Sequence, residues 1–495
     1  MIEAYAPETV YAAERVLMER LAEGELMARA VTGLAKVAAI RLAERGGRRV
    51  VALVGPGNNG ADALYAVAHL AEDGILCGAV LLDGKAHAGA LSAAEAAGVV
   101  LAREVAGEVP APLSDAAGGL IGEADLVLDG ILGIGGRAGL PMWARTWVAA
   151  IPETAYVIAV DLPSGQDPQG EQGDPDGVFA DETVTFSVPK PVHLLPAGEP
   201  ACGLLTVVDI GLDFGEEPVA VRRLDRQDVA AMWPVPEATS DKYSRGVVGI
   251  IAGGENYTGA AILAVTAAVE AGAGMVRYVG TPTPQALVRA AVPEAVHGPG
   301  HVQSWVIGPG LDIAARHKGA AAQRDCARDV LASPVPVVID AGGLDFVTGT
   351  REAPTLLTPH AGECARLLSR LTGREISRRE VTDAPLRHAR DLADHTGAFV
   401  LLKGSWTIVA GPGGGTAYSQ NDAPPWLATA GAGDVLAGLL GTLLAAGLHP
   451  GPAGALGALV HGLAADRANP GGPIRALAIA RALPATIAGL LRENC

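Results

Sequence analysis

Between Arg48 and Gly211 six apolar runs alternate with helical patterns or loops: RRVVALVG, LCGAVLL, ADLVLDGIL, AYVIAVDLPSG, ETVTFSVPK and LLTVVDIG. Runs apolar on both faces belong inside a parallel sheet covered by helices on each side, since a sheet with one wet face would alternate apolar and polar residues. The pattern weakens over 213–240, where charges and prolines cluster. A second series then begins with VVGIIAGG, a helix over 258–272, MVRYVG, SWVIGPG, VPVVIDAGG, TLLTP and FVLLKGSWTIVAG, and closes with two apolar, alanine-rich helices. At 495 residues the chain exceeds one ordinary domain. The reading is therefore two α/β domains, 1–216 and 217–495, with LDRQDVAAMW as a short helix early in the second. The halves share no motif spacing that would make them repeats.

Charge narrows the partners. The net charge of −17 argues against nucleic acid and against an anionic membrane surface. Any phosphate must be held locally, by backbone N–H groups and a few cations. Cys77, Cys202, Cys326, Cys364 and Cys495 are scattered and form no CxxC, which suggests a reducing compartment and neither disulfides nor zinc. The N-terminal MIEAYAPETVYAAERVLMERL is amphipathic and mixed in charge, unlike a secretion signal, so a cytoplasmic protein is expected. The uncharged run from Val435 to Leu448 falls short of the ~20 residues that cross a bilayer. It reads as a buried core helix.

That helix has an acid at its head. In TAGAGDVLAGLL, glycines precede Asp434. Glycines before a helix let N–H groups crowd around an anion, and the helix start adds partial positive charge. An aspartate is comfortable there whether or not it does chemistry. Alternatively, the glycine amides stabilise a transferring phosphoryl group while Asp434 takes the proton of the attacking hydroxyl. LLKGSWTIVAG places Lys403-Gly404-Ser405 between two strand-like stretches, as an ordinary hairpin turn or a phosphate-holding one. LTPHAGE sets His360 and Glu363 three apart at a helix start, where Glu363 is also well placed for capping. GGENYTGAAILAV is a glycine-rich strand-to-helix loop open to a ligand.

In the first half, VVALVGPGNNGADALYAVAHL reads as strand, turn and helix without GxGxxG, so the usual dinucleotide fingerprint is not supported. Asn58, Asn59, Gly60 and Asp62 stand at the carboxyl end of a strand, where ligands of α/β sheets collect. A capped turn would look the same. Two more strands end in acids, Asp129 before a glycine-rich loop and Asp161 before Ser164. Asn59, Asp129 and Ser164 are hard oxygen donors suited to a cation.

From about Ser240 onward, the order GGENYTGAA, GPGL, DAGGLD, TPHAGE, KGSWT and ATAGAGDVLAG resembles the ADP- or ATP-dependent NAD(P)H-hydrate dehydratases, a branch of the ribokinase-like fold. The resemblance implies that Asp434 is the base on the ring hydroxyl and that Gly433 lies by the nucleotide. It implies that Lys403, Gly404, Ser405, Trp406 and Thr407 hold the phosphates of ADP or ATP with Mg2+. Ala260, Gly310, His360 and Asp434 would line the hydrate pocket, and Glu363 would organise magnesium through water. The family usually has a glycine at Ala430, Gly-Asn at Ala423-Pro424 and a second acid at Gly342. Over residues 1–215, NNGAD, DGILGIG, DLPSG and TVTFSVPKPVHLLPAG resemble the NAD(P)H-hydrate epimerase domain, a Rossmann-like three-layer α/β/α fold. That resemblance implies K+ at Asn59, Asp129 and Ser164. It implies hydrate contacts at Asn58, Asn59, Gly60, Ala61 and Asp62, and at Gly133, Ile134, Gly135, Gly136, Arg137, Ala138 and Gly139. Asp161 would be catalytic and would touch the hydrate. Ala61, Ala63, Ile134 and Gly136 depart from the family's usual NNGGDG and GTG, which adds methyls near the expected phosphates.

The chain is thus expected to be a bifunctional repair enzyme acting on NADHX, NADPHX and ADP or ATP, and a homo-oligomer. A small-molecule kinase on the same ribokinase-like fold is the alternative enzyme, although His360 stands where such kinases often carry asparagine. A first half that binds without catalysing is the alternative of another class.

Overall fold

The computed structural model describes residues 1–105 and 112–493. Cys495 lies outside the described residues. The chain divides into two compact units, Glu3–Val221 and Arg222–Cys495 together with Met1–Ile2.

The first unit is a parallel sheet in the spatial order 100–104, 76–82, 49–54, 126–130, 156–160, 182–186, 204–208. Its first two crossovers run one way from Arg49–Val54 and the later ones run the other way. The strand order therefore reverses between Arg49–Val54 and Leu126–Gly130, and a crevice opens there at the carboxyl ends. Both faces are covered, as the apolar runs require. Val50, Ala52 and Val54 pack with helices Glu25–Glu44, Asn58–Glu72 and Ala88–Ala96. Val51 and Leu53 pack on the opposite face with Asp115–Gly122 and Met142–Ala149. The strand Val100–Glu104 was not expected from the sequence. It sits at the sheet edge and carries Arg103 and Glu104, so its charges hid it among loop residues.

In the second unit the parallel strands run in the order 296–297, 275–279, 247–251, 304–307, 337–339, 355–357, 399–402, followed by antiparallel 407–410 and 417–420. The helix expected over 258–272 spans Thr258–Glu270. Three apolar helices close the chain, one more than the sequence suggested: Ala432–Ala445, Pro450–Ala468 and Ala476–Arg492. Pro450 starts the second at a position where its missing N–H costs nothing, and the Gly471-Gly472-Pro473 break precedes the third. From Val435 onward the helix Ala432–Ala445 is uncharged and buried on every side. Gly441 lies against Val248 and Val306 of the sheet, and Gly438 lies against the backbone of Ala264. A helix enclosed all round has no use for a charged face. No helix among the described residues is long and apolar enough to cross a membrane. Cys77, Cys202, Cys326 and Cys364 are free thiols.

Candidate active sites

In the second unit the candidate residues gather where parallel strands end and helices begin. Gly431, at φ 89°, starts the helix in a left-handed conformation that glycine adopts freely, and the Ala432 amide donates back to the Thr429 carbonyl at 3.3 Å. Asp434 follows in the first turn, and no side chain caps that helix end. The turn after Phe399–Leu402 brings in Lys403, whose Nζ would lie 3.3 Å from a Cβ placed on Gly433. Any side chain at Gly433 would therefore push on the ammonium group. The KGSWT and AGAGD motifs, thirty residues apart in sequence, form one surface.

Lys403 also holds an acid that the sequence reading passed over. Its Nζ donates to Asp340 Oδ1 at 2.6 Å, and Thr358 Oγ1 donates to the same oxygen at 2.8 Å. Asp340 is 2% exposed at the end of strand Val337–Ile339. Its signal was visible, since it is a strand-end acid like Asp129 and Asp161. Burial first, and then the Asp340 carboxylate, push Asp434 up to about 7, with Lys403 opposing. A carboxyl poised near neutrality can both take and release a proton at working pH.

His360 and Glu363 do form a capping box. His360 Nδ1 accepts from the amides of Gly362 and Glu363, while Glu363 Oε2 accepts from the His360 amide at 2.9 Å. The capping reading of this motif holds, and the imidazole itself is the cap. The His360 side chain nevertheless remains 58% exposed and its backbone pairs with Lys403, so it stands beside the lysine turn. Ala260 packs against Gly310, and Leu263, one turn further along the same helix, packs against Gly431. An acid at Gly342 would press its Cβ onto the Leu311 carbonyl, so the loop as built has no room for one. His461 was also missed. Buried and held down to about 4 by desolvation, it lies beneath the helix start near the Ala432 backbone. A lone histidine in an alanine-rich helix gave no cue.

In the first unit the three expected cation ligands meet. Ser164 Oγ donates to Asp129 Oδ1 at 2.6 Å and accepts from the Leu132 amide at 2.9 Å. Asn59 Nδ2 donates to the carbonyls of Leu132 at 3.1 Å and Val160 at 2.5 Å. A Cβ on Gly133 would collide with Asn59 Oδ1, so only glycine permits this approach. Asp129 is fully buried, and no ion pair reaches it among the described residues. Desolvation raises it to about 6 against hydrogen bonds from Ser164 and Ile131. A buried carboxylate without a counter-charge fits a cation bound between these oxygens.

Asp161 lies at the end of the neighbouring strand with φ 68°, an uncommon conformation for a residue with a side chain. Lys190 Nζ at 2.5 Å and Thr185 Oγ1 at 2.9 Å both donate to its Oδ1, and His193 Nε2 lies 2.9 Å from its carbonyl. Lys190 is 1% exposed. In the sequence it was read only as part of SVPKP, where nothing distinguished it from a loop charge. Asp62 is buried, its Oδ1 has no partner, and desolvation followed by Asp161 and Glu14 raises it to about 8. Ala61 and Ala63 point into the helix–sheet core, and Ile134 packs with Tyr5, Val10 and Leu162. Their extra carbon atoms are spent on packing.

Comparison with known proteins agrees in both halves. Residues 248–482 match the family model of NAD(P)H-hydrate dehydratase, and residues 23–192 match that of the YjeF-related protein N-terminus. The chain is 42% identical over 469 residues to the bifunctional NAD(P)H-hydrate repair enzyme Nnr of Mycobacterium tuberculosis (strain ATCC 25618 / H37Rv), covering 91% of each. It is 42% identical to that of Mycobacterium leprae (strain TN), covering 94% of each. It is 33% identical to that of Moorella thermoacetica, covering 93% of this chain and 92% of the relative. Among solved structures, the ADP/ATP-dependent NAD(P)H-hydrate dehydratase of Bacillus subtilis co-crystallized with ATP/Mg2+ is 25% identical, with a TM-score of 0.48 over 56% of this chain and all of that one.

Proposed function

The chain belongs to the bifunctional NAD(P)H-hydrate repair enzymes, and from that premise we propose how its residues divide the work. The first unit interconverts the R and S hydrates. The second returns the S hydrate to NAD(P)H with ADP or ATP. The observation that carries the second assignment is the meeting of Lys403 with Gly433 and Asp434 at one helix start.

Hydroxide is a poor leaving group and phosphate a good one. Asp434 takes the proton of the ring hydroxyl as that oxygen attacks the terminal phosphorus of the nucleotide. Lys403, the turn through Thr407 and the glycine amides stabilise the charge of the transferring group, which is where most of the catalysis of such transfers lies. The ring nitrogen then expels phosphate and the dihydronicotinamide is restored. Magnesium supplies charge neutralisation on the nucleotide phosphates. Glu363, with one carboxylate oxygen outside the capping box, suits it through water. His360, Ala260 and Gly310 line the hydrate side. Product analysis tests the reading: the account requires inorganic phosphate and NAD(P)H in equal amounts, whereas a kinase on this fold would accumulate a phosphoester.

The proton-accepting role fixes a pH dependence. Asp434 must be ionised to act, and its carboxyl is raised to about 7. Dehydration under kcat/KM conditions is expected to rise about tenfold per pH unit below 7 and to level off above it. A profile already flat between pH 5 and 7 would remove Asp434 from the role.

In the first unit, K+ held by Asn59, Asp129 and Ser164 supplies positive charge beside the pocket formed by Asn58–Asp62, Gly133–Gly139 and Asp161. Asp129→Asn is expected to make epimerisation in potassium chloride as slow as the unaltered protein shows in choline chloride, while dehydration of the S hydrate is unchanged. Equal epimerisation rates in the two salts for the unaltered protein would discard the cation.

A further inference from the structure

The loop 133–139, expected to hold the hydrate, is anchored at both ends by one segment that follows the strand Tyr156–Val160. At its start the Leu132 amide donates to Ser164 Oγ at 2.9 Å, and Ser164 Oγ donates in turn to Asp129 Oδ1 at 2.6 Å. At its end the Gly139 amide donates to the Gly165 carbonyl at 2.8 Å, and the Leu140 amide donates to Asp174 Oδ2 at 3.1 Å. Gly165 has φ 93°, and a Cβ there would lie 3.0 Å from Leu140 Cγ and 3.3 Å from Asp174 Oδ2. Glycine lets these parts close together.

Asp174 lies in DPQGEQGDPDG, residues 167–177, a stretch to which the epimerase resemblance gives no role. It is not a loose surface acid. Gln166 Nε2 donates to the Asp174 carbonyl at 3.0 Å, and the Asp174 amide donates to Gln166 Oε1 at 3.1 Å. Gln166 is 2% exposed and stands just beyond Ser164 and Gly165. The Val178 amide closes the stretch on the Ser164 carbonyl at 2.8 Å. Within the carboxylate, Oδ1 accepts from the Asp176 amide at 3.0 Å, so Oδ2 serves Leu140.

Resting on the epimerase reading above, we propose that Asp174 is a positioning residue. Through the Leu140 amide it clasps the far end of the hydrate loop to the segment carrying the expected cation ligand Ser164, so that cation and hydrate favour each other's binding. Ser164 cannot turn toward a cation without taking the first hydrogen bond of the loop with it, and Gly165 next to it holds the other end. At that end the Leu140 bond is the charge-assisted one, and so the stronger. A loop already ordered by the cation costs the hydrate less to organise. Coupling of this kind is reciprocal, so the hydrate tightens the cation site by the same factor.

The test uses the full chain and two readouts. The first is hydrogen–deuterium exchange of the peptide 132–140 in potassium chloride and in choline chloride, with no hydrate present. In the unaltered protein exchange should be about tenfold slower in potassium. In Asp174→Ala it should be fast in both salts, while the strand 49–54 stays as protected as before. The second readout is consumption of the R hydrate with ADP and magnesium. Asp174→Ala should raise KM for the R hydrate about tenfold in potassium chloride, with kcat within about threefold and consumption of the S hydrate unchanged. The ratio of KM between the two salts should fall towards one. Asp174→Asn, which keeps a carbonyl oxygen for the Leu140 amide, should recover part of the loss, and Asp176→Asn should behave as the unaltered protein. Equal loop protection in Asp174→Ala and the unaltered protein, faster exchange shared by 49–54, or a loss confined to kcat overturns the proposal. R turnover with a loop indifferent to both potassium and Asp174→Ala sinks the clasp and leaves the epimerase reading standing. A loop that responds to both, in a protein that never consumes the R hydrate, does the reverse: the clasp stands, and the reading of what the loop binds falls.

Discussion

Asp434→Asn is expected to lower dehydration of the S hydrate by ~10²–10⁴-fold, the range for loss of a general base, while the protein melts no earlier than before. A helix-start acid of purely structural value would give the opposite pattern, losing ~0.5–2 kcal/mol of stability with turnover intact. The structure favours the first outcome because no side chain, Asp434 included, caps that helix end. The sign of the stability effect follows from proton linkage. The Asp434 carboxyl is raised from its ordinary value to about 7, so at pH between about 4 and 7 the folded state binds more protons than the unfolded one. Folding stability contributed by this group therefore falls as pH rises through that window. Asparagine removes the penalty, and the variant should melt at the same temperature or higher above pH 7. Turnover and thermal melting at pH 6 and 8 on this one variant check both parts.

The second large effect concerns a buried pair. Lys190→Met should destabilise the first unit by about 3–5 kcal/mol, because it strands the Asp161 carboxylate in the interior. Lys190 and Asp161 are 1% and 4% exposed, and the Asp161 backbone is held in a left-handed conformation by the same surroundings. Epimerisation should be lost together with that stability. Lys190→Met combined with Asp161→Asn should recover much of the stability and none of the epimerisation. Chemical denaturation with the R-hydrate assay measures the two separately. A single variant as stable as the unaltered protein would mean that the pair is not buried in solution.

These two sites also mark what could be read from the chain alone. Strand-end residues were legible, because an apolar run that stops at an acid or amide, as at Asp129 and Asp161, marks the carboxyl edge of a parallel sheet. Asp434 was legible through its glycines and the uncharged helix behind it. Lys190 and His461 were not. Each owes its position to packing between elements far apart in sequence, and a lysine after a strand ordinarily faces water. Asp340 fell between these cases: its strand end was visible, but only the fold brings Lys403 to it across sixty-three residues. Ala61 and Ala63, in and just after NNGAD, were misplaced for the same reason. Sequence puts them beside the phosphate loop, and the helix turns them into the core.

The most direct measurement follows the oxygen of the ring hydroxyl. S hydrate labelled there with ¹⁸O is incubated with the full chain, magnesium and ADP or ATP, and the products are analysed by mass spectrometry. If Asp434 directs that oxygen onto phosphorus before the ring nitrogen expels it, the label leaves in inorganic phosphate, one atom per NAD(P)H restored. Label appearing in water, with unlabelled phosphate, would mean that the hydroxyl is never phosphorylated and would contradict the account.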